Sequence, residues 1–263
     1  MTANTIDEVI DILGQIIQES KDGESTFGYF AALYQKVTIS IKERLNTNYF
    51  DDDERMERLD VVFANRYLKA YASHQRGDKI TESWKTAFTL AEDDSVIVLQ
   101  HLLLGMNAHI NLDLGIAASE ISDTLSIGDL QSDFNKINEV LAALIEEVQG
   151  NLAEIWPTLL WILRLTRKVD DFMVNFSMNL ARNGAWKFAN ELVLEKDQEK
   201  RETLILQRDT RVAELTNLII DRGIVGRIIF MIIRFGERGT PSDKIRALER
   251  TIEKAELPVP NSS

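Results

Sequence analysis

The chain contains no cysteine, and only 3 histidines, 4 prolines and 13 glycines among 263 residues. The missing thiols exclude disulfides, cysteine-ligated zinc, iron–sulfur clusters and thiol catalysis. Positive charge is also scarce: 30 Lys and Arg against 42 Asp and Glu leave a formal net charge of −12. Long-range repulsion then opposes phosphate backbones and anionic surfaces, so no nucleic acid and no membrane partner is expected. A bilayer span of ~20 apolar residues is missing as well. The nearest approach, Ile224 to Gly236, is about half that length and carries Arg227 and Arg234 on one face, the pattern of a buried helix with a wet edge or of an interfacial helix. There is no P-loop, dinucleotide fingerprint, HExxH or ExxH.

What is present is apolar residues at i, i+3, i+4 and i+7, segment after segment, with no strict strand-like alternation. An all-α fold of about ten to eleven helices follows, at about 4–20, 26–46, 52–76, 80–93, 95–120, 127–149, 155–167, 169–197, 200–221, 224–236 and 241–255. The first of these, with Ile6, Val9, Leu13 and Ile16 on one face, is an amphipathic helix rather than a secretory signal, and the expected compartment is the cytoplasm. Residues 1–197 form the main bundle, residues 198–255 are C-terminal helices packed on it, and 256–263 are a disordered tail. The charged stretch Glu195 to Arg211 suits a solvated helix or a hinge between them.

Helix 95–120 differs from the rest. Its apolar residues, among them Val98, Leu102, Leu103, Leu104, Ile110, Leu112 and Ile116, surround the axis, so it is a central helix packed on every side. Polar groups inside it must find partners, because each one buried alone costs about 1–3 kcal/mol. At ~100° per residue, His101, Gly105, His109 and Asp113 line one slowly drifting stripe, while Gln100, Asn107 and Asn111 lie roughly opposite. The amides suit structural glue. The ionisable stripe is the candidate for chemistry.

His109 and Asp113, four apart, are spaced to chelate, whereas His101 sits about 12 Å up the axis from His109. A metal such as zinc on His109, Asp113 and His101 therefore needs a kink at Gly105, or a ligand from a neighbouring helix. Gly105 has two uses: close approach of a neighbouring helix, or space for a ligand between the histidines. Elsewhere, Asp60, Tyr67 and His74 share a helix face, and Asp60 or Arg66 is placed to reach the stripe. Asp171, Asn175, Arg182 and Trp186 descend another face, where Arg182 calls for a carboxylate such as Asp113 or Asp60. Trp84 and Trp186 are expected as core or pocket-wall anchors.

The segments "RLDVVFANRYLKAY", "HLLLGMNAHINLDLGIA" and "RNGAW" together resemble an uncharacterised, mostly bacterial all-helical family, a domain of unknown function, over about residues 27–195. The resemblance implies an α-helical fold and marks His101, Asn107, His109, Asp113, Arg66 and Arg182 as positions of its pattern. A fainter likeness is to the all-α zinc-dependent phospholipase C and nuclease fold, whose three-zinc site uses more histidines than this chain has.

Two functions fit these residues. One is a hydrolase of a small ester or phosphoester, with His109, Asp113 and His101 either binding a divalent metal or acting as acid and base, and Asn107, Asn111, Arg66, Arg182 and Trp186 contacting the ligand. The other is a non-catalytic helical protein, binding a small molecule or acting as a scaffold, in which the stripe is a structural hydrogen-bond network.

Overall fold

The computed structural model describes residues 1–93, 95–137, 140, 178–220, 231 and 234–250. Among them every regular element is helical: α1 Ile6–Asp22, α2 Gly28–Lys42, α3 Asp53–Arg76, α4 Glu82–Ala91, α5 Val98–Ala108, α6 Leu114–Glu120, α7 Met178–Leu194, α8 Gln198–Ile220 and α9 Pro241–Glu249. A π-helical turn, His109–Asp113, joins α5 to α6, and a 3-10 turn covers Ile127–Leu130. The expected helices at 155–167 and 224–236, most of that at 127–149, the part of 169–197 carrying Asp171 and Asn175, and the tail 256–263 lie largely or wholly outside the described residues. No helix among the described residues is long and apolar enough to cross a membrane.

Local chemistry sets the helix ends. Thr5 caps α1 by accepting from the Glu8 amide at 3.2 Å, and Asp52 caps α3 by accepting from the Arg55 amide at 2.9 Å. Gly77 ends α3 at φ 74°, a left-handed conformation that glycine adopts without a Cβ penalty. Other N-termini are capped from distant parts of the chain. Asp133 accepts from the Asp51 and Asp52 amides ahead of α3 (2.6 and 3.1 Å), and Asp209 of α8 from the Glu82 and Ser83 amides of α4 (2.7 and 2.9 Å). Glu237 accepts from the Val98 amide of α5 at 2.8 Å, and Glu24 from the Ser242 amide of α9 at 2.8 Å. Each carboxylate meets the positive end of a helix dipole and ties that end to another element.

The run α5–π turn–α6 is the buried axis expected from its sequence: from Val96 to Ser119 nearly every residue is buried. α2, α4 and α8 pack on α5, and α3 and α7 pack on α6. Gly115 admits α7, since a Cβ there would lie 2.8 Å from the Ala185 carbonyl oxygen. Most of the charged stretch Glu195 to Arg211 is exposed or half-buried, and α8 turns Asp209 of it inward.

Candidate functional site

The two polar sides of the central helix have different fates. The amide side clamps α8: Asn107 Nδ2 donates to the Val212 carbonyl at 2.8 Å and Gln100 Nε2 to the Ile219 carbonyl at 3.2 Å. Asn111 Nδ2 donates to Asn107 Oδ1 at 3.0 Å, while the Asn111 carbonyl accepts from Arg208 Nε at 2.9 Å. These amides spend their polar groups holding two helices in register.

The ionisable side is built on the π turn. Its i→i+5 bonding widens the helix locally, a feature often found at functional sites, and brings side chains four apart close to one line. His109 and Asp113 meet there: Nδ1 lies 3.2 Å from Asp113 Oδ2, and both residues are buried. Trp84 Nε1 of α4 donates to the same oxygen at 2.8 Å, and Arg66 Nε of α3 donates to Oδ1 at 2.8 Å. Burial by itself would raise the Asp113 carboxyl, but the Arg66 guanidinium and the His109 hydrogen bond outweigh it and hold the group below the ordinary value. Burial also lowers His109, which is therefore a neutral imidazole beside an ionised carboxylate. A carboxylate at Nδ1 fixes the proton on that nitrogen and leaves the Nε2 lone pair free. Nε2 is buried and has no hydrogen-bond partner among the described residues.

Aromatic rings enclose this imidazole. Phe63 of α3 stacks on it with centroids 3.6 Å apart and planes 7° apart, and Tyr34 of α2 meets it edge-on at 4.6 Å. Phe30, Tyr67 and Trp84 stand 5.8, 6.2 and 5.9 Å away. Both oxygens of Asp60 are buried without a hydrogen-bond partner among the described residues, and the Tyr34 hydroxyl is buried with the Thr38 side chain beside it. Burial lifts Asp60 to about 7, with the Glu57 charge adding to the rise, and burial together with the Asp60 and Asp113 charges raises the Tyr34 phenol.

His101 stands apart from this group. Its Nε2 lies 3.1 Å from the Val96 carbonyl, its ring meets Tyr29 at 5.4 Å, and burial lowers it to about 4. The space at Gly105, between the two histidines, belongs to Phe30: a Cβ at that position would lie 2.4 Å from Phe30 Cδ2. Beside that ring, a cavity of about 20 Å³ bounded by Thr26, Phe27, Trp84, Phe88 and His101 has room for about one water. Helical spacing alone therefore grouped His101 with residues from which Phe30 divides it. Among the described residues no group of three or more His, Asp or Glu side chains is placed to hold a metal, so His101 does not complete a ligand set with His109 and Asp113.

Arg182 is not the cation on Asp113. It is buried, donates from Nη2 to the Phe134 carbonyl at 2.8 Å and lies over the Phe134 ring, whereas Arg66 of α3 reaches Asp113; both helices pack on the π turn. Trp186 packs on Phe134 at 4.9 Å. His74, near the end of α3, faces Phe27 and Phe88 with Glu92 3.7 Å from Nε2. Tyr34 and Phe63 are site residues that the sequence did not single out, and Trp84 was expected as a wall but not as a donor to Asp113. A buried indole N–H generally needs an acceptor, and an acidic residue in the most apolar helix was the available signal.

Every regular element among the described residues is helical, and a histidine–aspartate pair sits on a buried π turn. Comparison with known families takes this one step further: the family of unknown function DUF5995 matches residues 6–222, and the chain belongs to that family. No curated protein matches the chain. No solved structure matches it either.

Proposed function

We propose that the chain is a hydrolase of small, largely apolar esters, with His109 as general base and Asp113 as the group that orients and charges it. The observation that carries this reading is the free Nε2 lone pair of an imidazole whose opposite nitrogen is bound by an ionised, doubly anchored carboxylate. A water donating to Nε2 loses its proton to His109 as its oxygen attacks the ester carbonyl. The imidazolium so formed is stabilised by Asp113, and its proton passes to the departing alkoxide, giving one acid and one alcohol per water consumed. The Nδ1–H bond keeps the tautomer that leaves Nε2 as acceptor, and the aromatic shell excludes bulk water. An apolar ester suits the surroundings better than a phosphoester. Arg66, the cation of the site, already spends Nε on Asp113 and directs Nη1 towards Glu120 at 3.6 Å.

The burial of His109, 2% exposed, favours a second reading in which the same residues bind a small ligand without turning it over. Hydrolysis of p-nitrophenyl acetate and butyrate separates the two. Loss of a positioned base costs roughly 10²–10⁴-fold. His109→Gln and Asp113→Asn are expected to lose most of the wild-type rate while remaining folded by circular dichroism. A wild-type rate no greater than that of His109→Gln removes the hydrolytic reading and leaves binding alone.

A further inference from the structure

The base pair leaves a second feature unexplained. Asp60, on α3 three residues before Phe63 and seven before Tyr67, is 3% exposed, and neither of its oxygens has a hydrogen-bond partner among the described residues. The charge that acts on it is that of Glu57, of the same sign. Close enough to feel Asp60 is the buried Tyr34 hydroxyl, which has the Thr38 side chain beside it; the Thr38 hydroxyl donates to the Tyr34 backbone carbonyl at 3.1 Å. Tyr34 also meets Phe63 at 5.9 Å and Tyr67 at 6.0 Å, in both cases edge to face.

A buried carboxylate without a cation is costly, and a polar group left alone in an aromatic interior asks for a complementary one. The Asp60 oxygens accept and the phenol oxygen can accept as well as donate, so a group that donates several hydrogen bonds and carries positive charge complements both. Aromatic faces attract an ammonium group through their quadrupoles while also accepting its alkyl substituent. We propose that Asp60, with Tyr34, Phe63 and Tyr67 as walls, binds the ammonium head of a small primary amine. As a statement about substrate this rests on the hydrolytic reading, and it specifies amine-bearing esters, because the Tyr34 ring meets the His109 imidazole at 4.6 Å. As a statement about binding it stands alone.

The test is isothermal titration of the whole chain with ethylammonium chloride at pH 8, against potassium chloride at matched ionic strength and against ethanol. Wild type is expected to bind ethylammonium saturably, to ignore ethanol, and to respond to potassium no more than to added salt. Asp60→Asn, which removes the charge and strands no partner, is expected to fold and to bind at least ten-fold more weakly. Equal binding by Asp60→Asn, or no saturable binding by wild type, overturns the proposal, as does potassium matching ethylammonium, which would mark an inorganic cation site. The two readings fail separately. Asp60-dependent ethylammonium binding by a protein that hydrolyses no ester sinks the hydrolase and keeps the amine site. His109-dependent ester hydrolysis without any binding of, or inhibition by, ethylammonium does the reverse.

Discussion

Replacing Asp60 by Asn should change how stability depends on pH, and the size of the change follows from two buried groups that pull in opposite directions. Asp60 has its carboxyl raised from 3.8 to about 7 in the folded chain. Its contribution is fully present below 3.8 and is lost as pH rises through about 7, a range worth ~4 kcal/mol at 1.36 kcal/mol per pH unit. His101 is lowered from 6.5 to about 4, so its contribution is present above 6.5 and is lost as pH falls through about 4, worth ~3 kcal/mol. His109 is also lowered and acts in the direction of His101. Between pH 4 and 7 the wild-type protein therefore carries two opposed slopes that largely cancel. In Asp60→Asn the histidine slope stands uncovered, and stability should climb by ~3 kcal/mol or more over that interval. Urea unfolding at half-unit steps from pH 4.5 to 7.5, with m-values checked for constancy, measures the slope of each protein. The difference between the two slopes is the quantity of interest, because exposed carboxylates contribute equally to both and cancel. Parallel profiles for wild type and Asp60→Asn would refute the argument, and would mean that Asp60 is solvated or paired in the folded chain.

Asp113→Ala removes the acceptor of Trp84, Arg66 and His109 together and should cost about 3–5 kcal/mol, as for a broken buried pair. Trp84→Phe removes one of those bonds and should cost about 1.5–3 kcal/mol, with both losses read from urea melts at pH 7. Gly105→Ala drives a Cβ to 2.4 Å from the Phe30 ring and should cost about 1–3 kcal/mol; most of the loss should be recovered when Phe30 is also replaced by Leu, and a loss unchanged by that second substitution would place the clash elsewhere. Asp209→Ala strands two amide donors at the start of α4 and should cost about 1–2 kcal/mol by thermal melt.

The central helix was legible because burial on all sides removes any polar stripe wide enough to face water, and Val98 to Ile116 shows none. Its amides were legible as glue for the same reason. The π turn was not, since an α-helical period assumes 100° per residue and nothing in "HINLD" announces a wider turn. Spacing could propose His109 with Asp113 because four residues keep two side chains adjacent in either kind of turn. It could not reveal that Phe30 fills the gap at Gly105, which depends on a residue 75 positions earlier meeting a missing side chain. The same limit explains the choice of Arg66 over Arg182. Both are arginines in apolar company on helices that pack on the π turn, and only the register of each helix, which sets Arg66 against Asp113 and Arg182 against Phe134, decides which reaches the carboxylate. Tyr34 and Phe63 read as core residues because helical periodicity counts a phenol or a phenyl ring by its apolar body.

The shortage of positive charge acquires a structural meaning from the helix ends. Asp113 draws its two strongest donors from α3 and α4, and the N-terminus of each helix is fixed by a carboxylate from a distant part of the chain, Asp133 for α3 and Asp209 for α4. The central helix that carries Asp113 is held the same way by Glu237 at Val98. Trp84 follows immediately after Ser83, whose amide Asp209 accepts from, so the direction of the indole N–H is set within one residue of a tertiary cap. A site that depends on bonds of 2.8 Å to one buried carboxylate tolerates little drift in its supports. Part of the acidic excess is therefore the framework that holds three helices steady around one imidazole. The other part is the solvated face of helices such as α8, where charges such as Glu199 and Glu202 meet water and add little to stability.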